Sequence, residues 1–205
     1  MTRYDQLIGL IHGSRPKSIL EVGTWTGEQA VAMCEAALLH HDRIHYTGFD
    51  LFEGMTPELR AAELHVKHDS PEHEARRRII TLASIHAYAV TFELIKGNTR
   101  TTLPAWAEAH PASADFIFMD GGHSVETIRS DLAACLRLVR QDGRLILDDW
   151  YSGVTEDLLA DFGCNAVLLK SGLRYSVLPS TDPLKGGGYV HLVLVDPSSA
   201  SQRPA

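Results

Sequence analysis

Cysteine is scarce here: Cys34, Cys135 and Cys164 are the only three in 205 residues. They are odd in number and widely spaced, which excludes a disulfide framework or a zinc cluster and predicts a reducing compartment. Cationic excess is missing too. Lys and Arg total 19 against 26 Asp and Glu, a formal net charge of -7, so nothing would neutralise a phosphate lattice; neither nucleic acid nor an anionic membrane is an expected partner. No apolar run approaches the roughly 20 residues of a membrane-spanning helix. The opening MTRYDQLIGLIHGSRPK carries too short an apolar stretch for a secretory h-region. A cytoplasmic protein is expected. The chain also lacks an internal repeat, and it lacks the G-x-G-x-x-G spacing that brings a backbone against a pyrophosphate, which disfavours a nicotinamide dinucleotide.

The length suits one domain over residues 1–196, with a disordered tail at 197–205. Its organising stretch is Ala114 to Tyr151. Phe116 to Met119 is a short continuous apolar run that stops at Asp120-Gly121-Gly122, as a strand buried on both faces does at a turn. Leu145 to Leu147 is a second such run and stops at Asp148-Asp149. Between them Val125, Ile128, Leu132, Leu136 and Val139 recur at helical spacing, with Ser124 as N-cap and Asp142-Gly143 as the stop. A helical crossover makes the two strands parallel, so Asp120, Asp148 and Asp149 emerge at one sheet edge. Open α/β sheets bind ligands there.

The remaining pattern extends the same architecture. Tyr4, Leu7, Ile8 and Ile11 predict a short packing helix. Ser18 to Val22 predicts a buried strand, followed by Gly23-Thr24-Trp25-Thr26-Gly27 and a helix through Leu38, with Thr26 and Gln29 as a capping box. Ile44 to Phe49 predicts a strand tipped by Asp50. Residues 52–90 form a charged helical insertion with a pattern through Ile79, Leu82, Ile85 and Ala89, a candidate lid. Further strands are expected at Phe92 to Ile95, Ala166 to Leu169, Tyr175 to Leu178 and Tyr189 to Val195, and further helices near Leu103 to Ala109 and Val154 to Phe162. Gly186-Gly187-Gly188 reads as a loop rather than a phosphate cradle, since no helix follows it.

Strand, glycine turn, helix, strand and acid make a nucleotide-binding half. Glu21, just ahead of the glycines, suits a cofactor bearing an ammonium or sulfonium better than one bearing phosphates. Asp50 is placed to accept two ribose hydroxyls. LEVGTWTG followed by YTGFDLF resembles the first two motifs of class I S-adenosylmethionine-dependent methyltransferases, and the resemblance covers nearly the whole chain. It implies a Rossmann-like, mostly parallel α/β sheet with a final antiparallel strand and helices on both faces. It also implies a cofactor site at Glu21, Gly23, Thr24, Trp25, Gly27, Asp50, Leu51 and Asp120, with Asn98-Thr99 near the adenine.

Three carboxylates offer hard oxygen ligands to Mg²⁺ or another divalent cation with open positions for acceptor oxygens. In isolation, Asp148-Asp149 also fits a helix cap and Asp120 a turn. DGGHS followed by LDDW resembles the divalent-metal-dependent small-molecule O-methyltransferases, especially those acting on sugars. That resemblance implies metal ligands Asp120, Asp148 and Asp149, and His123 as general base. Catechol and caffeoyl-coenzyme-A type enzymes usually carry lysine at the base position and an Asp-Asn pair after the fifth strand, so His123 and Asp149 depart from them. The expected acceptor is a sugar or glycoside hydroxyl; a catechol-like phenol and a catalytically silent cofactor-binding subunit are the alternatives. His40-His41, His65, His68 and His73 show no zinc-ligand grouping. Trp25, Trp150 and Tyr151 are candidate walls. With a short segment ahead of the first strand, either the 52–90 insertion or a second copy in a homo-oligomer is expected to cover the site.

Overall fold

The computed structural model describes residues 1–63 and 71–202; His65, His68 and the last three residues of the tail lie outside these. Seven strands form one sheet: β1 (Ser18–Val22), β2 (Ile44–Asp50), β3 (Val90–Lys96), β4 (Ala114–Met119), β5 (Val139–Ser152), β6 (Tyr175–Pro183) and β7 (Tyr189–Val195). Their spatial order is β3-β2-β1-β4-β5-β7-β6. The first five are parallel, and β7 runs antiparallel between β5 and β6. This is the Rossmann-like sheet of the methyltransferase fold. The strand order reverses between β1 and β4, where a parallel sheet opens a crevice at its carboxyl edge.

Continuous burial along β1, β4 and the middle of β5 follows from helices on both faces. Helices α1 (Arg3–Ser14), α2 (Glu28–Leu38) and α4 (Glu72–Ile85) bury Leu7, Ile11, Met33, Ala37 and Ile79 against one face. Helices α5 (Thr99–Ala109), α6 (Val125–Leu138) and α8 (Asn165–Ser171) bury Leu103, Ile128, Leu132 and Leu168 against the other. Two short helices, α3 (Pro57–Ala62) and α7 (Glu156–Asp161), flank the carboxyl edge and bury none of their own residues. Among the described residues, no helix is long and apolar enough to cross a membrane.

Several expectations are corrected. Ala166–Leu169 is not a strand but part of α8: Asn165, Val167 and Leu168 are buried while Leu169 is exposed, and left-handed Gly172 ends the helix. The short apolar run carried no periodicity to separate the two states. Asp142-Gly143 does not stop α6, which passes at Leu138 directly into β5; the β4/β5 register shift there absorbs the extra residues. Thr26 and Gln29 form no capping box. The N-cap of α2 is left-handed Gly27, and the Thr26 hydroxyl is buried with no hydrogen-bond partner among the described residues. Helix α4 ends at Ile85, short of Ala89, because Ala87 and Tyr88 adopt positive φ. The tail begins with a 3-10 helix, Pro197–Gln202, in which the buried Ser199 hydroxyl accepts from the Arg174 N–H at 3.0 Å and donates to the Asp196 carbonyl at 2.6 Å.

Between α5 and α6, Asp131 is 1% exposed. One of its oxygens accepts from the Thr99 hydroxyl at 2.9 Å, and the other has no hydrogen-bond partner among the described residues. Burial pushes its carboxyl up to about 7; the Glu63 charge adds to the rise, and the Thr99 hydrogen bond opposes it. A carboxyl raised above its unfolded value of about 3.9 holds its proton longer in the folded state, so its contribution to stability falls as pH rises between the two values. Asp131→Asn should therefore match the wild-type melting temperature near pH 4 and exceed it by roughly 3 °C or more at pH 8. Thermal denaturation across that range checks this, and a pH-independent difference would contradict it.

Candidate functional site

A cavity of about 370 Å³ opens at the carboxyl edge, over the ends of β1, β2 and β4. Its floor exists because residue 23 is glycine. Gly23 has φ +95°, and a Cβ there would lie 1.9 Å from the Asp120 carbonyl oxygen, so only a bare backbone lets β1 and β4 end side by side. Glu21, 1% exposed, accepts from the Tyr46 hydroxyl. Burial first, and then the Glu21 charge, push the Tyr46 phenol well up, so Tyr46 stays protonated as the donor. At the tip of β2, Asp50 accepts from the Trp25 and Phe52 backbone N–H groups, each at 2.7 Å. Asn98 caps α5 by accepting the Arg100 N–H at 3.0 Å, and Asn98 and Thr99 form another wall.

At the β4 and β5 ends, a bulge does the positioning. Successive strand residues point to opposite faces, yet one extra β5 residue is inserted between the Leu147–Val193 and Trp150–His191 pairs. Asp149 takes φ +63° in that bulge, and its N–H donates to Asp148 Oδ1 at 2.8 Å. This turns Asp149 toward His123, whose Nε2 lies 3.5 Å from Asp149 Oδ2. Asp120, His123 and Asp149 each present a ligand atom, all within 4.8 Å of one another. Tyr151 donates to Asp149 at 3.0 Å.

Asp148 is occupied differently. Its side chain has no exposure, and Arg3 Nε reaches its two oxygens at 3.0 and 3.1 Å. Arg3 Nη1 also reaches Asp182 on β6 at 2.6 Å, and Nη2 donates to the Tyr4 hydroxyl at 2.9 Å. Tyr4 in turn donates to Asp120 at 3.1 Å. Burial and the charge of Asp120 push the Asp148 carboxyl up to about 6, while Arg3 pulls it down. Asp149 is raised as well, chiefly by burial.

The cavity thus brings together Glu21, Gly23, Thr24, Trp25, Asp50, Leu51, Asn98, Thr99, Asp120 and His123. Gly27 stands apart at the start of α2, and Trp150 packs on Tyr175 away from the cavity. Asp148 does not join the converging ligand atoms; His123 takes its place among them. Sequence reasoning missed Arg3, Tyr4 and Glu63. Arg3 and Tyr4 sit on a helix whose apolar spacing signalled only packing, and Glu63 sits in a charged segment without periodicity.

Sheet order, the glycine turn and the acid at the tip of β2 together define a Rossmann-like methyltransferase. A profile of the family described as "Methyltransferase domain" matches residues 20–150. The chain belongs to that family. No curated protein matches its sequence. Similar solved structures include the O-methyltransferase TomG from Streptomyces achromogenes, involved in tomaymycin synthesis and in complex with SAM. Its TM-score is 0.61 at 14% identity, over 94% of this chain and 78% of TomG. An O-methyltransferase from Bacillus cereus in complex with SAH gives 0.59 at 15%, over 94% and 79% of the two chains. The SAH-bound Podospora anserina methyltransferase PaMTH1 gives 0.52 at 15%, over 93% and 76%. At these identities the likeness is one of fold.

Removing one member of a buried ion pair strands the other charge. Arg3→Ala should lower unfolding free energy by about 3 kcal/mol, and Arg3→Ala with Asp148→Asn should recover part of it. Urea denaturation of the single and double variants reads the coupling; a loss below about 1 kcal/mol would place the pair among weak surface bridges.

Proposed function

We propose that the chain transfers the methyl group of S-adenosylmethionine to a hydroxyl oxygen of a small molecule, a sugar or sugar-containing acceptor, at a divalent-cation site. The supporting observation is continuity: one cavity runs from Gly23 and Asp50 to Asp120 and His123, where Asp120, His123 and Asp149 converge. The carboxylates of Asp120 and Asp149 are hard oxygen ligands that fit Mg²⁺ or Mn²⁺, with the His123 imidazole beside them. The cation would supply positive charge that lowers the acceptor hydroxyl's pKa.

The chain's own residues do the rest. Asp50 accepts the ribose hydroxyls, and Glu21 and the bare Gly23 backbone face the amino-acid end of the cofactor. Asp120 and Asp149 hold the cation, with Asp148 kept by Arg3 as a buttress behind them. His123 takes the acceptor's proton, a task suited to a side chain that changes charge near neutral pH. Alignment of acceptor oxygen, methyl carbon and sulfur in one cavity then lowers the barrier. The 3.5 Å approach of His123 to Asp149 also favours a second reading, in which His123 is the third metal ligand.

Labelled-methyl transfer to a panel of sugars and phenols, with Mg²⁺, Mn²⁺ or chelator, tests the proposal. Sugar acceptors should be labelled, and chelator should abolish turnover. His123→Ala should lower kcat about 100-fold or more, the scale of general-base loss, with S-adenosylhomocysteine and Mn²⁺ affinities retained. Full turnover under chelation or in His123→Ala would overturn the mechanism. Lost Mn²⁺ affinity in that variant would make His123 a ligand, and labelling of phenols alone would replace the acceptor class.

A further inference from the structure

The segment from Leu51 to Glu63 forms the outer wall of the cavity, with Met55, Leu59 and Glu63 lining it. It is anchored at its start, where Phe52 is 2% exposed and its N–H donates to Asp50. Farther along, α3 buries none of its own residues, so apolar packing does not hold this wall down. Glu63, just past the last residue of α3, crosses the cavity mouth to the opposite wall. One carboxylate oxygen accepts the Ser124 backbone N–H at 2.7 Å; the other accepts the Ser124 hydroxyl at 2.9 Å and the Thr127 hydroxyl at 2.5 Å.

The chemistry is that of a capping box completed from another part of the chain. In the ordinary motif the third helical residue is Glu or Gln, and its side chain reaches back to the N-cap N–H. Here the N-cap is Ser124 and the third helical position is Thr127, whose hydroxyl donates instead; Glu63 supplies the missing carboxylate. Space for it is reserved by Gly122, where a Cβ would lie 2.8 Å from Glu63 Oε2 and 2.6 Å from the Thr127 methyl. The N–H that Glu63 accepts belongs to the His123–Ser124 peptide, and the carbonyl oxygen of that peptide accepts the Gly163 N–H at 2.8 Å. The peptide carrying His123 is therefore fixed from both sides.

We propose that Glu63 is a latch: it closes the 51–63 wall over the bound cofactor and, through the same hydrogen bonds, positions His123. Cofactor exchange requires the carboxylate to leave the start of α6, and the closed wall is the state in which the His123 turn is set. The His123 half rests on the function proposed above; the closure itself does not.

Glu63→Gln and Thr127→Val test it, the second leaving the Glu63 charge in place while removing one of its hydrogen bonds. In the ligand-free protein, amide hydrogen exchange over residues 51–63 and 123–127 should accelerate in both variants. Stopped-flow dissociation of S-adenosylhomocysteine should quicken about tenfold in Glu63→Gln, as expected for losing a charge-assisted hydrogen bond, and less in Thr127→Val. Under saturating cofactor, kcat should still fall in Glu63→Gln, which a purely cofactor-retaining wall would not produce. Unchanged exchange over 51–63 overturns the latch whether or not cofactor binds. Unchanged kcat at saturation with faster dissociation overturns the positioning half. A wild-type protein that binds no S-adenosylhomocysteine counts against the proposed function, and the exchange result still decides the closure.

Discussion

Five carboxylates meet at one edge of the sheet, and the site depends on how their charge is compensated. Glu21, Asp50 and Asp120 sit at or just past strand ends and line the cavity, and Asp148 and Asp149 sit in the β5 bulge beside it. Unpaired buried charge is too costly to persist, so each must be met by donors. Tyr46 serves Glu21, two backbone N–H groups serve Asp50, Tyr4 serves Asp120, and Tyr151 serves Asp149. Asp148 has a full cation, Arg3. The partition sets the acids in different surroundings: Glu21 beside a phenol, Asp50 on two backbone N–H groups, Asp120 and Asp149 each under a tyrosine hydroxyl, and Asp148 closed off behind them by Arg3.

The first helix consequently belongs to the site as well as to the core. Leu7 and Ile11 bury its apolar face, and the same helix delivers Arg3 and Tyr4 to the ends of β4, β5 and β6. Gln6 adds a tie by accepting the Ser180 N–H at 3.1 Å. On the other side of the cavity, Glu63 performs the analogous service for α6. Arg3, Tyr4 and Glu63 all come from segments outside the sheet, and each holds a residue or turn at its carboxyl edge.

Much of this was legible in the chain. Runs such as Phe116–Met119 and Leu145–Leu147, each ended by acids, marked buried parallel strands and their tips, because period and punctuation are local properties. The glycine turn after β1 and the acid at the tip of β2 were legible for the same reason. The partners of the acids were not legible. Arg3 and Asp148 are 145 positions apart, and Glu63 and Ser124 are 61 apart; such pairing depends on tertiary placement and leaves no periodic trace. Nor was the direction of Asp149 legible, since an Asp-Asp pair on a regular strand would point to opposite faces and only the bulge turns the second toward His123. That is why the side-chain atoms that converge are those of Asp120, His123 and Asp149, while Asp148, expected beside Asp120 and Asp149, is turned to Arg3.

In the proposed function, Arg3 withdraws Asp148 and leaves Asp120, His123 and Asp149 to face the acceptor. Anomalous diffraction at the manganese edge, from crystals grown with S-adenosylhomocysteine and Mn²⁺, addresses it directly. One peak is expected within ligand distance of Asp120 and Asp149 and beside His123, with Arg3 still on Asp148. A peak coordinated by Asp148 with Arg3 displaced, or no peak at the carboxyl edge, would contradict it.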